Sequence, residues 1–276
     1  MKTLFLKYGV VATAAFIYST PAAAVESCGG QSSSGNPKIC CDAAGNSGGT
    51  YGNCVWWAWK KAYEAGWPKA TIAGTGNAHQ WDNNYAVPYP KLYKIITAPL
   101  NQSVNLKGAI AVRELSATDT RFGHVAYVED VIKDASGNVT KLKISEMNCG
   151  TYGYGVIAKE YAVSKFDKYI KINDLNGKSA SSIGCTDGTI VASSGTTNKL
   201  NLYWSNSCQT YWAGVSSAAS GNKIVSVKRN WDGKSYSGSS SVAVTPITTA
   251  MVINSGTGQV CATGSVNGIP LPQVCK

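Results

Sequence analysis

The pattern of hydrophobic and polar positions predicts one strong helix followed by antiparallel strands. An aromatic- and alanine-rich run from Cys54 to Ala65, ended by Gly66 with Pro68 just beyond, predicts a helix packed on several sides. Residues 74–84 fit a second short helix or a turn. From Gly108 onward, short apolar runs predict strands at residues 109–115, 123–129, 141–147, 156–163 and 169–172, with a turn at 136–138. This order of elements is an α+β arrangement.

A Gly-, Ser- and Lys-containing spacer at residues 176–182 separates this part from one in which no helix is predicted. Short β-prone runs follow at residues 189–192, 200–204, 223–228, 241–244 and 248–253. They predict a small all-β domain at residues 183–276. That part contains no histidine, and its only carboxylates are Asp187, Asp232 and the C-terminus. A set of acid, base and nucleophile is therefore expected only within residues 25–175.

The first residues have the pattern of a secretory signal peptide. Lys2 and Lys7 precede or border an apolar run at residues 8–17, and Pro21-Ala22-Ala23-Ala24 supplies a small-residue cleavage site. The apolar run is shorter than the ~20 residues that a membrane-spanning helix needs. We expect residues 1–24 to be cleaved near Ala24, and the chain to be secreted, extracellular or periplasmic, without a transmembrane segment.

The charge is positive and unevenly distributed. The formal net charge is +10. Residues 25–175 carry 16 basic and 13 acidic side chains, whereas residues 176–276 carry 7 and 2. A basic exported protein favours an anionic surface partner such as an envelope polymer, and nucleic acid is not expected outside the cell.

The nine cysteines, at positions 28, 40, 41, 54, 149, 185, 208, 261 and 275, are an odd number. In an oxidising compartment an even set predicts disulfides, and the one left over is a candidate reactive thiol. With Cys54 free, local spacing favours two pairs, Cys185 with Cys208 and Cys261 with Cys275. Cys28 and Cys149 would then pair with Cys40 and Cys41, one each. Zinc is disfavoured because the chain has two histidines and no paired Cys-x-x-Cys units, and no cofactor is expected.

Cys54 is also the candidate nucleophile. It follows a Gly-rich loop and opens the predicted helix, where the positive end of the helix dipole favours a thiolate. His124, directly after Gly123, is the candidate base, and Glu146 and Asn148 share one side of the predicted neighbouring strand, from which they could orient the imidazole. The alternatives are a structural cysteine, a core histidine, a solvated strand charge and a turn residue.

Four motifs carry a resemblance to a known family: Tyr51-Gly52-Asn53-Cys54-Val55-Trp56-Trp57, Gly76-Asn77-Ala78-His79-Gln80-Trp81, Phe122-Gly123-His124-Val125-Ala126-Tyr127-Val128-Glu129 and Ile144-Ser145-Glu146-Met147-Asn148. Over about residues 40–173 the chain resembles the CHAP domain, a papain-like family of bacterial and phage peptidoglycan hydrolases. The resemblance implies Cys54 as nucleophile, His124 as base, and Glu146 and Asn148 as orienting partners. It also implies amide hydrolysis, by an N-acetylmuramoyl-L-alanine amidase or by an endopeptidase.

Two features depart from that family. Cys149 follows Asn148 where an aromatic residue is more usual, as a half-cystine or as a redox partner of Cys54; we expect the half-cystine. The segment from Gly45 to Asn53 contains no carboxylate, so the calcium loop of certain phage members is not expected.

The C-terminal part resembles a secreted actinobacterial domain of unknown function, number 2690, over two short motifs, Gly184-Cys185-Thr186-Asp187-Gly188 and residues 203–213. Its aromatic residues either stack on sugars or fill the core: Tyr203, Trp204, Tyr211, Trp212 and Trp231. We expect a monomer that acts on peptidoglycan of the bacterial cell wall, with a basic β module that could hold it there. The alternatives are a non-catalytic envelope-binding protein on a papain-like scaffold and an antibacterial toxin with the same chemistry.

Overall fold

A computed structural model describes most of the chain after the predicted signal peptide. The described residues are 40–41, 51–68, 77–86, 88–98, 100, 104–116, 122–147, 157–218, 220–241, 246–254 and 258–276. The predicted signal peptide lies outside them, as do Cys28, Asn148 and Cys149.

The first part is a helix packed on an antiparallel sheet, as the hydrophobic pattern predicts. Strand β1, Cys40–Cys41, pairs with β2, Tyr51–Gly52, and helix α1 follows at Cys54–Glu64. A 3-10 turn at Ala78–Gln80 leads into helix α2, Trp81–Ala86. The sheet contains β3 (Tyr93–Thr97), β4 (Ile110–Arg113), β5 (His124–Lys133), β6 (Val139–Glu146), β7 (Ile157–Ala162) and β8 (Lys168–Ile172).

The six strands lie in the order β3-β8-β4-β5-β6-β7, and every neighbouring pair is antiparallel. The five strands predicted from residue 109 onward are confirmed, with β5 reaching four residues further than expected. Strand β3 was missed, because the prolines at 88, 90 and 99 indicated a broken segment. The strand fits between Pro90 and Pro99, and it pairs only with β8 at the sheet edge.

The sheet is buried on both faces. Ile110, Val112 and Val125 face a cluster that includes Ala58 and Trp59 of helix α1. Alternate residues of the same strands, with Leu142 and Phe166 among their neighbours, form a second cluster on the opposite face. Because side chains alternate along a strand, a two-sided core makes the register of β4 and β5 costly to change.

The second part is a pair of antiparallel sheets with a shared apolar interior. One sheet has the strands β9 (Thr189–Ser194), β10 (Asn198–Ser205), β11 (Thr210–Ser217), β14 (Ile247–Thr248) and β15 (Val252–Ile253). The other has β12 (Lys223–Arg229), β13 (Ser235–Ser240), β16 (Val260–Val266) and β17 (Ile269–Cys275).

One expectation for this region was wrong in detail. A one-turn helix, α3, occupies Ala180–Ile183, where no helix was predicted; Ser179 caps it and Gly184, at φ 76°, ends it. The strand predicted at residues 241–244 falls largely outside the described residues, and a strand that was not predicted occupies Ser235–Ser240. The two predicted disulfides, Cys185–Cys208 and Cys261–Cys275, are confirmed. The pairing proposed for Cys28, Cys40, Cys41 and Cys149 stays a prediction.

The two parts share one apolar cluster. Cys185, Cys208, Trp212 and Met251 belong to the cluster that covers helix α1. Residues 176–178 also make backbone and side-chain hydrogen bonds to the segment 251–253. The proposed spacer is therefore tied to the second part, although the domain limits remain a prediction. Among the described residues, no helix is long and apolar enough to cross a membrane.

Candidate active site

Helix α1 carries the candidate nucleophile on its first residue. Asn53 is the N-cap: its side-chain oxygen accepts a hydrogen bond of 3.0 Å from the Trp56 backbone N–H. The cap fixes where the helix starts and so leaves Cys54 at the positive end of the helix dipole. Cys54 is a free, partly exposed thiol.

His124 begins strand β5, and the residue before it has to be glycine. Gly123 has a φ of 65°. A Cβ at this position would lie 2.6 Å from the Arg113 carbonyl oxygen and 2.8 Å from the His79 Cβ. The His79 backbone N–H also donates to the Phe122 carbonyl at 3.1 Å. Another segment of the chain thus approaches Gly123 closely, and the turn around Ala78–Gln80 holds the chain just ahead of His124.

The imidazole of His124 joins the thiol to a buried carboxylate. Its Nε2 lies 2.5 Å from Glu146 Oε2, and the Glu146 side chain is only 3% exposed. Nδ1 is the ring nitrogen that remains for Cys54, with which His124 also makes a side-chain hydrogen bond. The three side chains form a continuous chain of thiol, imidazole and carboxylate.

The protonation states follow from these contacts. Burial acts to lower the pKa of His124, but hydrogen bonds and charges of Cys54 and Glu146 raise it to about 9. Burial acts to raise the pKa of Cys54, but the hydrogen bond and charge of His124 lower it below its usual value, helped by the backbone N–H groups of Val125 and Val55. Burial also acts to raise the pKa of Glu146, but the hydrogen bond and charge of His124 lower it. The directions of these three shifts favour a site in which thiolate, imidazolium and carboxylate occur together.

Strand β7 supplies two further partners of Glu146. Tyr161 Oη donates to Glu146 Oε1 at 3.2 Å, and Lys159 Nζ lies 3.5 Å from the same oxygen. Each carboxylate oxygen therefore has a partner, which a buried charge requires. These two residues were missed in the sequence. The alternation of the strand predicted at 156–163 puts them on one face, but only the pairing of β6 with β7 turns that face toward Glu146.

A second polar chain holds helix α1 against the sheet. Trp57 Nε1 donates to Ser145 Oγ at 2.8 Å, and Ser145 Oγ donates to Glu129 Oε1 at 2.6 Å. Lys61, one helical turn beyond Trp57, lies 2.9 Å from Glu129 Oε1. The indole N–H is thereby satisfied in a buried position, and the helix is fixed to β5 and β6, the strands that carry His124 and Glu146.

Three of the four candidate site residues are thus brought together. Cys54, His124 and Glu146 are in contact, and Asn148 lies outside the described residues. The prediction of a helix packed on several sides is confirmed, since Trp56, Trp57 and Trp59 are all buried. In the second part, Trp212 is buried and stacks on Tyr203 at a centroid distance of 5.5 Å, which favours core filling over sugar binding for these two residues.

A helix-borne thiol, an imidazole and a buried carboxylate in contact define a cysteine–histidine site of the kind that transfers acyl groups. Comparison with protein families agrees with that class: the model of the CHAP domain matches residues 44–148. CHAP domains are generally cysteine- and histidine-dependent amidases or peptidases associated with peptidoglycan. Neither the curated proteins nor the solved structures gave a match.

Proposed function

We propose that this protein is a secreted peptidoglycan hydrolase that cleaves amide bonds, as an N-acetylmuramoyl-L-alanine amidase or as an endopeptidase, on a papain-like fold. The observation that carries the proposal is the contact chain of Cys54, His124 and Glu146 within a segment that matches the CHAP domain. The cysteine pairs Cys185–Cys208 and Cys261–Cys275 are compatible with an exported protein.

In the first half of the proposed reaction, the Cys54 thiolate attacks the carbonyl carbon of the scissile amide. The carbonyl oxygen becomes an oxyanion, for which the Cys54 backbone N–H at the start of helix α1 is a candidate donor; one such donor is typically worth about 3 kcal/mol. The His124 imidazolium gives its Nδ1 proton to the leaving amine as the C–N bond breaks. A thioester on Cys54 and neutral His124 remain.

In the second half, His124 takes a proton from water, which attacks the thioester carbonyl. The C–S bond breaks, the acid product leaves, and the thiolate–imidazolium pair is restored. Glu146 keeps the ring oriented and stabilises its charge in both halves. The proposed second orienting residue, Asn148, rests on the family motif.

The intact site disfavours a purely binding role. A non-catalytic protein on the same scaffold would have no need for a free thiol beside an imidazole with a raised pKa. An antibacterial toxin would use the same chemistry on the same bond, so it is a variant of the proposed function that differs only in the target cell.

The test compares paired variants on purified sacculi. Cys54→Ala and His124→Ala are each expected to abolish release of new amino groups, while circular dichroism and thermal melting stay close to the parent. The matched control is Lys133→Ala, because Lys133 is exposed and lies at the other end of the strand that begins with His124. Mass spectrometry of the released fragments identifies the bond. Lysis by Cys54→Ala at the parental rate would overturn the mechanism.

We also propose that the C-terminal part holds the enzyme on the wall through its basic surface. Of its seven cations, Lys223 is buried and Arg229 pairs with Asp232, so Lys199 and Lys228 are among those left exposed. Co-sedimentation of the inactive Cys54→Ala chain with sacculi should weaken with salt and with a Lys199→Gln/Lys228→Gln change. The control is Lys94→Gln/Lys141→Gln on the first part, which should bind sacculi as well as the Cys54→Ala chain does. If the Cys54→Ala chain does not bind sacculi at low salt, the targeting role is refuted.

A further inference from the structure

A pocket of about 220 Å³ opens beside the His124–Glu146 pair. His124 and Glu146 form part of its wall, and Lys159 and Tyr161 of strand β7 form another part. Arg113 and Lys165 complete its charged rim. Phe166 is the one apolar side chain among the described residues that line it.

The charges of these residues are strongly unbalanced. Three cations come from three different elements: Arg113 from the end of β4, Lys159 from β7, and Lys165 from the 3-10 turn Val163–Lys165. Glu146, the single carboxylate among the described residues of the lining, is already in contact with the imidazole of His124 and with Lys159. The pocket therefore presents a net positive potential next to a reacting group, and a low-dielectric wall focuses such a field.

We propose that this pocket is a subsite for a free carboxylate of the substrate, one that lies close in the chain to the scissile amide. The proposal rests on the proposed function and specifies which peptidoglycan fragments that site prefers. A carboxylate fits better than a neutral group because Arg113 and Lys165 could both donate to it, and charge-assisted hydrogen bonds are about twice as strong as neutral ones.

The position of the pocket links recognition to the reaction. Arg113 pairs with His124 in the β4–β5 register, so an anion held by Arg113 lies one strand away from the base. His124 contacts both the thiol and the pocket. Because His124 is shared by the pocket and the thiol, a carboxylate held in the pocket would bring the amide next to it close to the catalytic pair.

The experiment uses two peptidoglycan fragments that differ only in whether one carboxyl group of the stem peptide is free or amidated. For the parent we expect kcat/KM to be about tenfold higher for the free acid, the value of one charge-assisted hydrogen bond. Lys165→Gln should reduce that ratio toward one, mainly through KM. Lys133→Gln, an exposed lysine at the end of β5, should leave the ratio at the parental value.

A binding measurement separates this proposal from the proposed function. Calorimetry on the Cys54→Ala chain should give a lower Kd for the free acid than for the amide, and Lys165→Gln in that background should reduce the difference. If the parent cleaves neither fragment but binding discriminates, the hydrolase proposal fails and the carboxylate subsite stands. If Kd and kcat/KM are equal for both fragments, or if Lys133→Gln alters the ratio as Lys165→Gln does, the subsite is overturned.

Discussion

Replacing Glu146 by Gln tests whether a carboxylate, rather than any polar group, sets the state of the catalytic pair. The amide has nearly the same shape, so Tyr161 can still donate to its oxygen. It has no charge, however, and in one of its two orientations it presents an N–H to the imidazolium N–H of His124. The pKa of His124 should therefore fall.

The size of the fall can be worked from the contacts. A hydrogen bond to a charged group is worth about 1.5–3 kcal/mol, and one pH unit of pKa corresponds to about 1.4 kcal/mol. Loss of the Glu146 charge should thus lower the His124 pKa from about 9 by about one to two pH units. Near pH 8.5 most of the imidazolium would be lost, and activity should drop about tenfold; near pH 6 the drop should be smaller.

The direction in which the pH profile moves depends on the protonated form of His124. A pKa raised on folding means that the imidazolium of the native site is present below it and is lost as pH rises through about 9. Lowering that pKa therefore moves the alkaline side of the pH profile to lower pH. The contribution of the ion pair to folding stability should be lost over the same, lower range of pH.

Two assays read this change. The first is cleavage of sacculi as a function of pH; the second is the rate at which iodoacetamide alkylates Cys54, which reports the thiolate without any substrate. Glu160→Gln removes an equal charge from an exposed position on β7, where Glu160 lies 3.5 Å from Lys141, and should leave both profiles unchanged. If the alkaline side of the pH profile stays in place in Glu146→Gln, the role assigned to the carboxylate is refuted.

Three further predictions address the frame around the site. Gly123→Ala should destabilise the protein by about 3 kcal/mol and inactivate it, because the new Cβ would lie 2.6 Å from a backbone oxygen. Gly137→Ala is the control: a Cβ there would have nothing within 4 Å, so the change should cost only about 1 kcal/mol. Thermal melting distinguishes the two variants. Tyr161→Phe should raise the pKa of the site carboxylate and move the acid side of the pH profile upward, which an unchanged profile would contradict. Replacing Cys185 and Cys208 by Ala should lower stability by about 3 kcal/mol in urea unfolding, given a separation of 23 residues, and a change below the error of the fit would contradict the entropic account.

The local parts of this fold and site could be predicted from the sequence, because each has a short-range cause. Helix α1 begins where Asn53 can cap it, and strand β5 begins after a glycine that allows close approach. The hairpin of β5 and β6 follows from a turn and two apolar runs. Once those elements are paired, the alternation of side chains directs Glu146 to the imidazole.

The features that the sequence did not reveal depend on contacts between distant segments. Lys159 and Tyr161 become site residues only because β7 pairs with β6, and no local signal fixes that pairing. The cluster shared by helix α1 and the Cys185–Cys208 disulfide likewise joins segments more than a hundred residues apart. The short β-prone runs indicated the antiparallel sheets of the second part but could not show that residues of this part pack against the helix that carries Cys54.

The burial of Glu146 is the strongest argument that this arrangement serves chemistry and not stability. A carboxylate at 3% exposure must be compensated by partners, and here an imidazole, a tyrosine hydroxyl and a lysine are all used for that purpose. Well-packed apolar residues at the same positions would often stabilise a fold at least as well. Ile144 lies two residues before Glu146 on the same face of the strand and is buried in an apolar cluster, so this face accepts an apolar side chain. The sheet could be apolar at this position, yet it holds a charged network. A site that must keep its histidine protonated beside a thiolate requires such a network.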